Sequence, residues 1–204
     1  MQIQNIPTTD SPNHDAFEAI VETYYQTQGY ITSSGKWFWV WESGKKQRGY
    51  QDIDVLAING NETIIISVSS NLDDKINTQK QSANIEKLEK LIGHFNRIKK
   101  YLDSVEQYNW LTKERNIRYV VAYASTSKKT LPLITTTLKE NGINLLSTQE
   151  IMIFLHEHVR QSHLKFQNQL LRTIQLSPDQ NSPSPSELSV APLEESENSI
   201  KNLE

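Results

Sequence analysis

Four polar side chains interrupt an otherwise apolar stretch, and their spacing brings them together. Residues 48–70 read RGYQDIDVLAINGNETIIISVSS. Asp52 and Asp54 break the first apolar run, Ser67 and Ser69 break the second, and Asn59-Gly60 stands between the runs. Asn-Gly between two segments rich in β-branched residues is a strong hairpin signal. Side chains alternate along a strand, so Asp52 and Asp54 share one face with Leu56. A two-residue turn pairs Ile58 with Asn61 and sets Asp52 opposite Ser67. A loop longer by two residues pairs Ile58 with Thr63 and sets Asp54 opposite Ser67. In both registers Asp52, Asp54, Ser67 and Ser69 point one way, and Ile53, Val55, Ile64, Ile66 and Val68 the other; only a one-residue slip separates them. Carboxylates so placed can hold a metal ion that activates water. Serine nucleophiles need a placed base and a sharp turn, and nothing around Ser67, Ser69 or Ser70 supplies either.

The flanking elements must position this hairpin. Phe17, Ile20, Val21 and Tyr24 lie at helical spacing and predict a helix over residues 14–28, with Asn13 as N-cap and Gly29 as its stop. Glu18 and Glu22 are four apart and share a face of that helix. Residues 36–42, KWFWVWE, predict a strand apolar on both sides, hence covered by helices above and below. Its tryptophans build core or stack bases. The polar loop after it carries Lys45, Lys46 and Arg48, within reach of phosphates if the loop lies at the mouth of the site. A long helix over residues 85–105 buries Ile85, Leu88, Ile92, Phe95, Leu102 and Val105. Lys87, Lys90, His94 and Arg97 line another face of it, either as a basic stripe for nucleic acid or as an ordinary solvated face. A buried strand over residues 117–124, a helix over 127–141 and a short strand over 143–146 follow. The capping box Ser147-x-x-Glu150 then opens a last helix that could continue to Leu176, long enough to pair with another chain.

A hairpin with Asp in its first strand and a Glu-x-Lys triplet in its second resembles the core of the restriction-endonuclease-like family, the PD-(D/E)xK nucleases. The order of elements over residues 14–160 is similar too. The resemblance implies a three-layer α/β/α fold with a mixed sheet, and it places the family's aspartate at Asp54. The triplet's place is taken by Ser67-Val68-Ser69, so two of three chemical positions carry hydroxyls. By the same resemblance the site residues are Glu22, Asp52, Asp54, Ser67 and Ser69, and Asp54 with Glu22 would hold Mg²⁺. Two functions follow as expectations: a nuclease-like protein that no longer cleaves and serves as a DNA-associated or protein-docking module, or an active Mg²⁺-dependent DNA endonuclease. In the second, Lys45, Lys46 or Lys75 would stand in for the lost lysine.

Composition bounds the rest. The chain has 204 residues and no cysteine, which excludes disulfides, thiol catalysis and cysteine-held zinc. His156, His158 and His163 lack the i, i+4 pairing of a helical zinc site. No glycine-rich phosphate or dinucleotide loop is present. Residues 177–204 hold four prolines, no aromatic residue and six acids against Lys201, a net charge of −5. The whole chain carries −3, so the remainder is near neutral at +2. The sequence predicts a loose arm over residues 1–13, one α/β domain over 14–176 and a disordered acidic tail over 177–204. No basic-then-apolar leader and no membrane-length apolar run occur, which points to a cytoplasmic protein.

Overall fold

The structure is a computed structural model that describes residues 16–41, 47–79, 82–162 and 165–177, without the side chains of residues 37, 39–41 and 47–50. The predicted arm, the tail from residue 178 on, Lys45, Lys46, His163 and the expected cap Asn13 lie outside the described residues. In chain order the elements are α1 (Ala16–Thr27), β1 (Ile31–Trp41), β2 (Gln47–Ile58), β3 (Glu62–Asn71) and the single turn α2 (Leu72–Lys75). A two-residue strand pair, β4 (Thr78–Gln79) and β5 (Ser82–Ala83), leads into α3 (Ile85–Ser104). Then come α4 (Trp110–Lys113), β6 (Asn116–Ser125), α5 (Leu131–Glu140), β7 (Ile143–Ser147), α6 (Thr148–Gln161) and α7 (Gln169–Leu176).

Five strands form one mixed sheet in the order β1-β2-β3-β6-β7. The first three run as an antiparallel meander, and β6 and β7 pair parallel to β3 and to each other. Central strands buried on both faces read as near-continuous apolar runs, and Ile64, Ile65 and Ile66 of β3 are all fully buried. One face packs Leu56, Ile65, Val121 and Tyr123 against Leu91, Phe95, Ile98 and Leu102 of α3 and Ile134 and Leu138 of α5. The other packs Val55, Ala57, Ile64, Ile66 and Val120 against Phe17 and Val21 of α1, Ile151 and Leu155 of α6, and Leu171 and Ile174 of α7. The fold is therefore a three-layer α/β/α core on a mixed sheet. Among the described residues no helix is long and apolar enough to cross a membrane.

The hairpin takes the longer of the two registers, with Ile58 paired to Thr63 and Val55 to Ile66. Asn59 decides this. Its side-chain oxygen accepts the backbone N–H groups of Asn61 and Glu62, both at 2.9 Å, while its own N–H bonds to the Glu62 carbonyl. An asparagine that closes the loop with its side chain makes a tight two-residue turn unnecessary. Gly60 is accordingly not left-handed.

Three expectations need correction. Ile53 does not follow Val55. It joins the α3-side cluster with Leu56, so alternation breaks at Asp54. There the β2–β3 ladder ends, and the β1–β2 ladder skips from Ser34–Val55 to Lys36–Ile53. Across from Asp54, Gly35 takes φ +61°, which lets β1 follow the bend. Ile85 opens α3 but is 67% exposed rather than buried. The last helix is two helices. The first ends at Gln161, and the second starts afresh where the Asn168 side chain accepts the N–H groups of Leu170 and Leu171. The first buries Ile151, Leu155 and Val159 on the sheet and the second Leu171 and Ile174.

The bend gives a contrast between two glycines, neither of which has an atom within 4 Å of an added Cβ. Gly35→Ala must hold a left-handed backbone, which costs about 1 kcal/mol. The melting temperature should fall by about 3 °C. Gly60→Ala should leave it unchanged. Equal shifts in a thermal melt would show that the bend does not depend on Gly35.

Candidate functional site

Asp54 is the centre of the site because it is where two strands part. Beyond Val55 no backbone pair joins β2 to β3. The Asp54 carboxylate fills the gap: its Oδ2 accepts the Val68 N–H at 2.6 Å and the Ser67 hydroxyl at 3.1 Å. Ser67 is 1% exposed. Burial pushes the Asp54 carboxyl above the usual carboxylate value; the Lys75 ammonium, the Val68 N–H and the Ser67 hydroxyl pull it back, and the Asp52 charge adds to the rise. Ser69 turns its hydroxyl to the Asn71 carbonyl at 2.8 Å and takes no part in this contact.

A pocket of about 280 Å³ opens on the α3 side of Ser67. Asp74 and Lys75 of α2 form one wall, and Lys87, Lys90, Leu91 and His94 of α3 form the other. Asn71 caps α2 and Asn84 caps α3, each with its side-chain oxygen, so both walls are held at their N-terminal ends. Lys87 Nζ donates to the Asp73 carbonyl at 2.6 Å and ties the walls together. Lys90 pairs with Glu86 at 2.7 Å in the open, with both side chains more than 70% exposed. His94 is pushed down to about 4 by burial and by the Lys75 ammonium, against the pull of Asp52; Arg97 lowers it further. It is therefore neutral near pH 7 and adds no charge to the expected basic stripe.

The predicted residues divide into three groups. Asp52, Asp54 and Ser67 come together, with Lys75, Lys87, Lys90 and His94 around the same recess. Arg97 is drawn away: its Nε donates to the Gln51 side chain at 2.8 Å. Glu22 sits on α1, in the layer on the other face of the sheet, and is not among the charges that bear on Asp54. Arg48 lies on β2, but its side chain is outside the described residues. Among the described residues, no three His, Cys, Asp or Glu side chains are grouped to hold a metal ion, so Glu22, Asp52 and Asp54 do not form such a set. Asp74 was not foreseen. It lies in a polar stretch, and a four-residue helix is too short to show a period.

No protein-family profile matches the chain, and no curated protein matches it. A similar solved structure is the crystal structure of a protein of unknown function, AF1548. The two share 13% identity over 78% of this chain and 77% of that one, with a TM-score of 0.39. A likeness of this size carries no statement about function.

Two predictions follow from the site's electrostatics. His94 binds its proton more weakly in the fold than its ordinary value of 6.5, so the unfolded chain takes up more protons between pH 6.5 and 4. The stability it confers is complete above pH 6.5 and is lost as pH falls toward 4. Between pH 7 and 5 that amounts to about 2 kcal/mol at most, or about 5 °C. Asp54 acts in the opposite sense at lower pH, so the comparison should be made against His94→Gln, whose melting temperature should fall less over that range. Parallel curves would place His94 in water.

Ser67→Glu probes the missing acid. The position is buried rather than on an open polar face, so a glutamate there sets a second carboxylate beside Asp54. Without divalent cations the variant should melt several degrees lower, and Mn²⁺ should recover part of the loss. Ser67→Ala is the control, for which Mn²⁺ should do nothing. A Ser67→Glu variant indifferent to Mn²⁺ would separate position 67 from the nuclease triplet.

Proposed function

We propose that this chain is a restriction-endonuclease-like protein that has lost cleavage and associates with DNA through the lysine-lined pocket beside α3. The observation that carries the reading is how Asp54 is used. In the nucleases it resembles, the aspartate and the triplet acid hold the metal ion, and the triplet lysine stabilises charge near the attacked phosphate. Here the Asp54 carboxylate takes up a backbone N–H and a hydroxyl, and hydroxyls stand at both triplet positions. Mg²⁺ favours anionic oxygens and gives up its water reluctantly. Asp52 and Asp54 are the least such a site uses, and Asp54 has one oxygen engaged and burial favouring its protonated form. The donor set does not fit the ion. Loss of one charge-stabilising group commonly costs ~10²–10³ in rate, and two positions have changed.

Lys75 favours a second reading. It is the cation with the largest effect on Asp54 and lines the same pocket as Ser67. A lysine entering from α2 would restore positive charge at an endonuclease site that still works.

One set of assays separates the two. The purified full chain should leave supercoiled plasmid and single-stranded DNA intact with Mg²⁺ or Mn²⁺, yet bind duplex DNA with an affinity that falls as salt rises. Each phosphate contact contributes ~0.9 to the log–log slope. Lys87→Ala with Lys90→Ala should flatten that slope by roughly one to two. Metal-dependent cleavage abolished by Asp54→Ala and by Lys75→Ala would establish the second reading instead. No binding at low salt would remove DNA altogether.

A further inference from the structure

We infer that the pocket above Ser67 is a receptor for a terminal phosphate monoester, the phosphorylated end of a nucleic-acid strand. The inference rests on the DNA-associated reading and narrows it from the backbone at large to the strand end.

Charge comes first. Among the described residues Lys75, Lys87 and Lys90 line the recess together with Asp74, and Glu86 pairs with Lys90 at the rim. Three ammonium groups stand against these two carboxylates, and His94 is neutral at working pH. A terminal phosphate carries between one and a half and two negative charges at pH 7. A bridging phosphodiester carries one. The more highly charged monoester therefore gains more from the same three ammonium groups than the diester does.

Shape points the same way. At about 280 Å³ the pocket falls just below the usual range for sites that enclose a whole small molecule, so it suits a headgroup. Its inner residues, Ser67 and Leu91, are 1% and 4% exposed, whereas the Lys90 side chain stands in the open at the rim. A terminal phosphate can enter past Lys90 with a single chain leaving it, whereas a bridging phosphate must bring two. Among the described residues no Phe, Tyr or Trp lines the recess. The cations lining it, among the described residues, are lysines, which recognise an anion as point charges rather than by a planar fork.

The lysines have donors to spare. Lys87 uses one N–H on the Asp73 carbonyl, and an ammonium group has three. The Lys90–Glu86 pair is exposed, and such pairs exchange partners at little cost. Ser67 gives its hydroxyl proton to Asp54, so the ammonium groups carry the binding.

The test compares short DNA duplexes that differ only in their ends, by fluorescence anisotropy with the full chain. Duplexes ending in 5′-phosphate or 3′-phosphate should include one that binds on the order of tenfold more tightly than the hydroxyl-ended duplex, the effect of one added charge at close range. That ratio should fall to about one in Lys75→Gln and in Lys90→Gln. Lys90 is exposed, so its variant keeps the test valid if the Lys75 variant does not fold. Inorganic phosphate at millimolar concentration should erase the preference. Equal affinity for all ends would overturn the inference and leave the DNA-associated reading standing, and binding to none would remove both. A preference that survives both lysine substitutions would place the receptor elsewhere. Inorganic phosphate that binds as tightly as the phosphorylated duplex would reduce the site to a free-phosphate site and overturn the nucleic-acid assignment.

Discussion

The hydrogen bond from the Val68 N–H to the Asp54 carboxylate governs the architecture around it. β3 is paired along its other edge to β6 from Glu62 to Asn71, so it runs straight through the middle of the sheet. β2 cannot follow it that far, because β2 also carries Ile53 into the α3-side core. Where they part, the Val68 N–H would be left buried without a partner, at a cost of about 1–3 kcal/mol. The Asp54 side chain supplies the missing acceptor at 2.6 Å. One carboxylate thus lets the strands separate, and the separation makes room for α2 and the N-terminal half of α3 over Ser67.

The same contact sets the charge of the site. An aspartate free to hold an ion keeps its oxygens open and its carboxyl ionised. Asp54 has one oxygen occupied twice, and burial raises it toward the neutral form. His94, across the recess, is driven neutral by burial and by Lys75. The two groups most able to titrate near the recess are therefore biased against carrying charge. Around them stand Lys75, Lys87 and Lys90, with Asp74 in the lining and Glu86 paired to Lys90 at 2.7 Å.

Much of this was legible in the sequence, and the parts that were not share a cause. The apolar runs, the stop at Gly29, the capping box at Ser147 and Glu150 and the order of strands follow from local pattern, and the structure places each near its expected position. Asp54 and Ser67 could be set on one face because alternation has a period of two. Their register remained open until the Asn59 side chain was seen to close a longer loop. Ile53 was misplaced because periodicity assumes a straight strand, and the bend at Asp54 is a tertiary event that Gly35 permits from another strand. The resemblance groups Glu22 with the site, and Arg97 joins it because it lies on a basic face of the long helix. Glu22 belongs to the layer behind the sheet, and Arg97 is held by Gln51 of β2, a partner 46 residues away in sequence.

On the reading proposed above, a serine in place of the triplet acid bears on more than rate. With a glutamate at position 67, two buried carboxylates would face each other, and only a cation or a shared proton could reconcile them. With serine there, the pair needs neither: the hydroxyl donates, the carboxylate accepts, and the site closes on itself at 3.1 Å. On the reading proposed above, the hydroxyl therefore removes a catalytic acid and also removes the fold's dependence on an ion at its most crowded point. Once the metal is dispensable, the lysines around the recess no longer serve an attacked phosphate. Selection on them can then favour holding an anion rather than turning one over, and a set drawn from two separate helices, α2 and α3, suits that role because no single geometry has to be met at the instant of reaction.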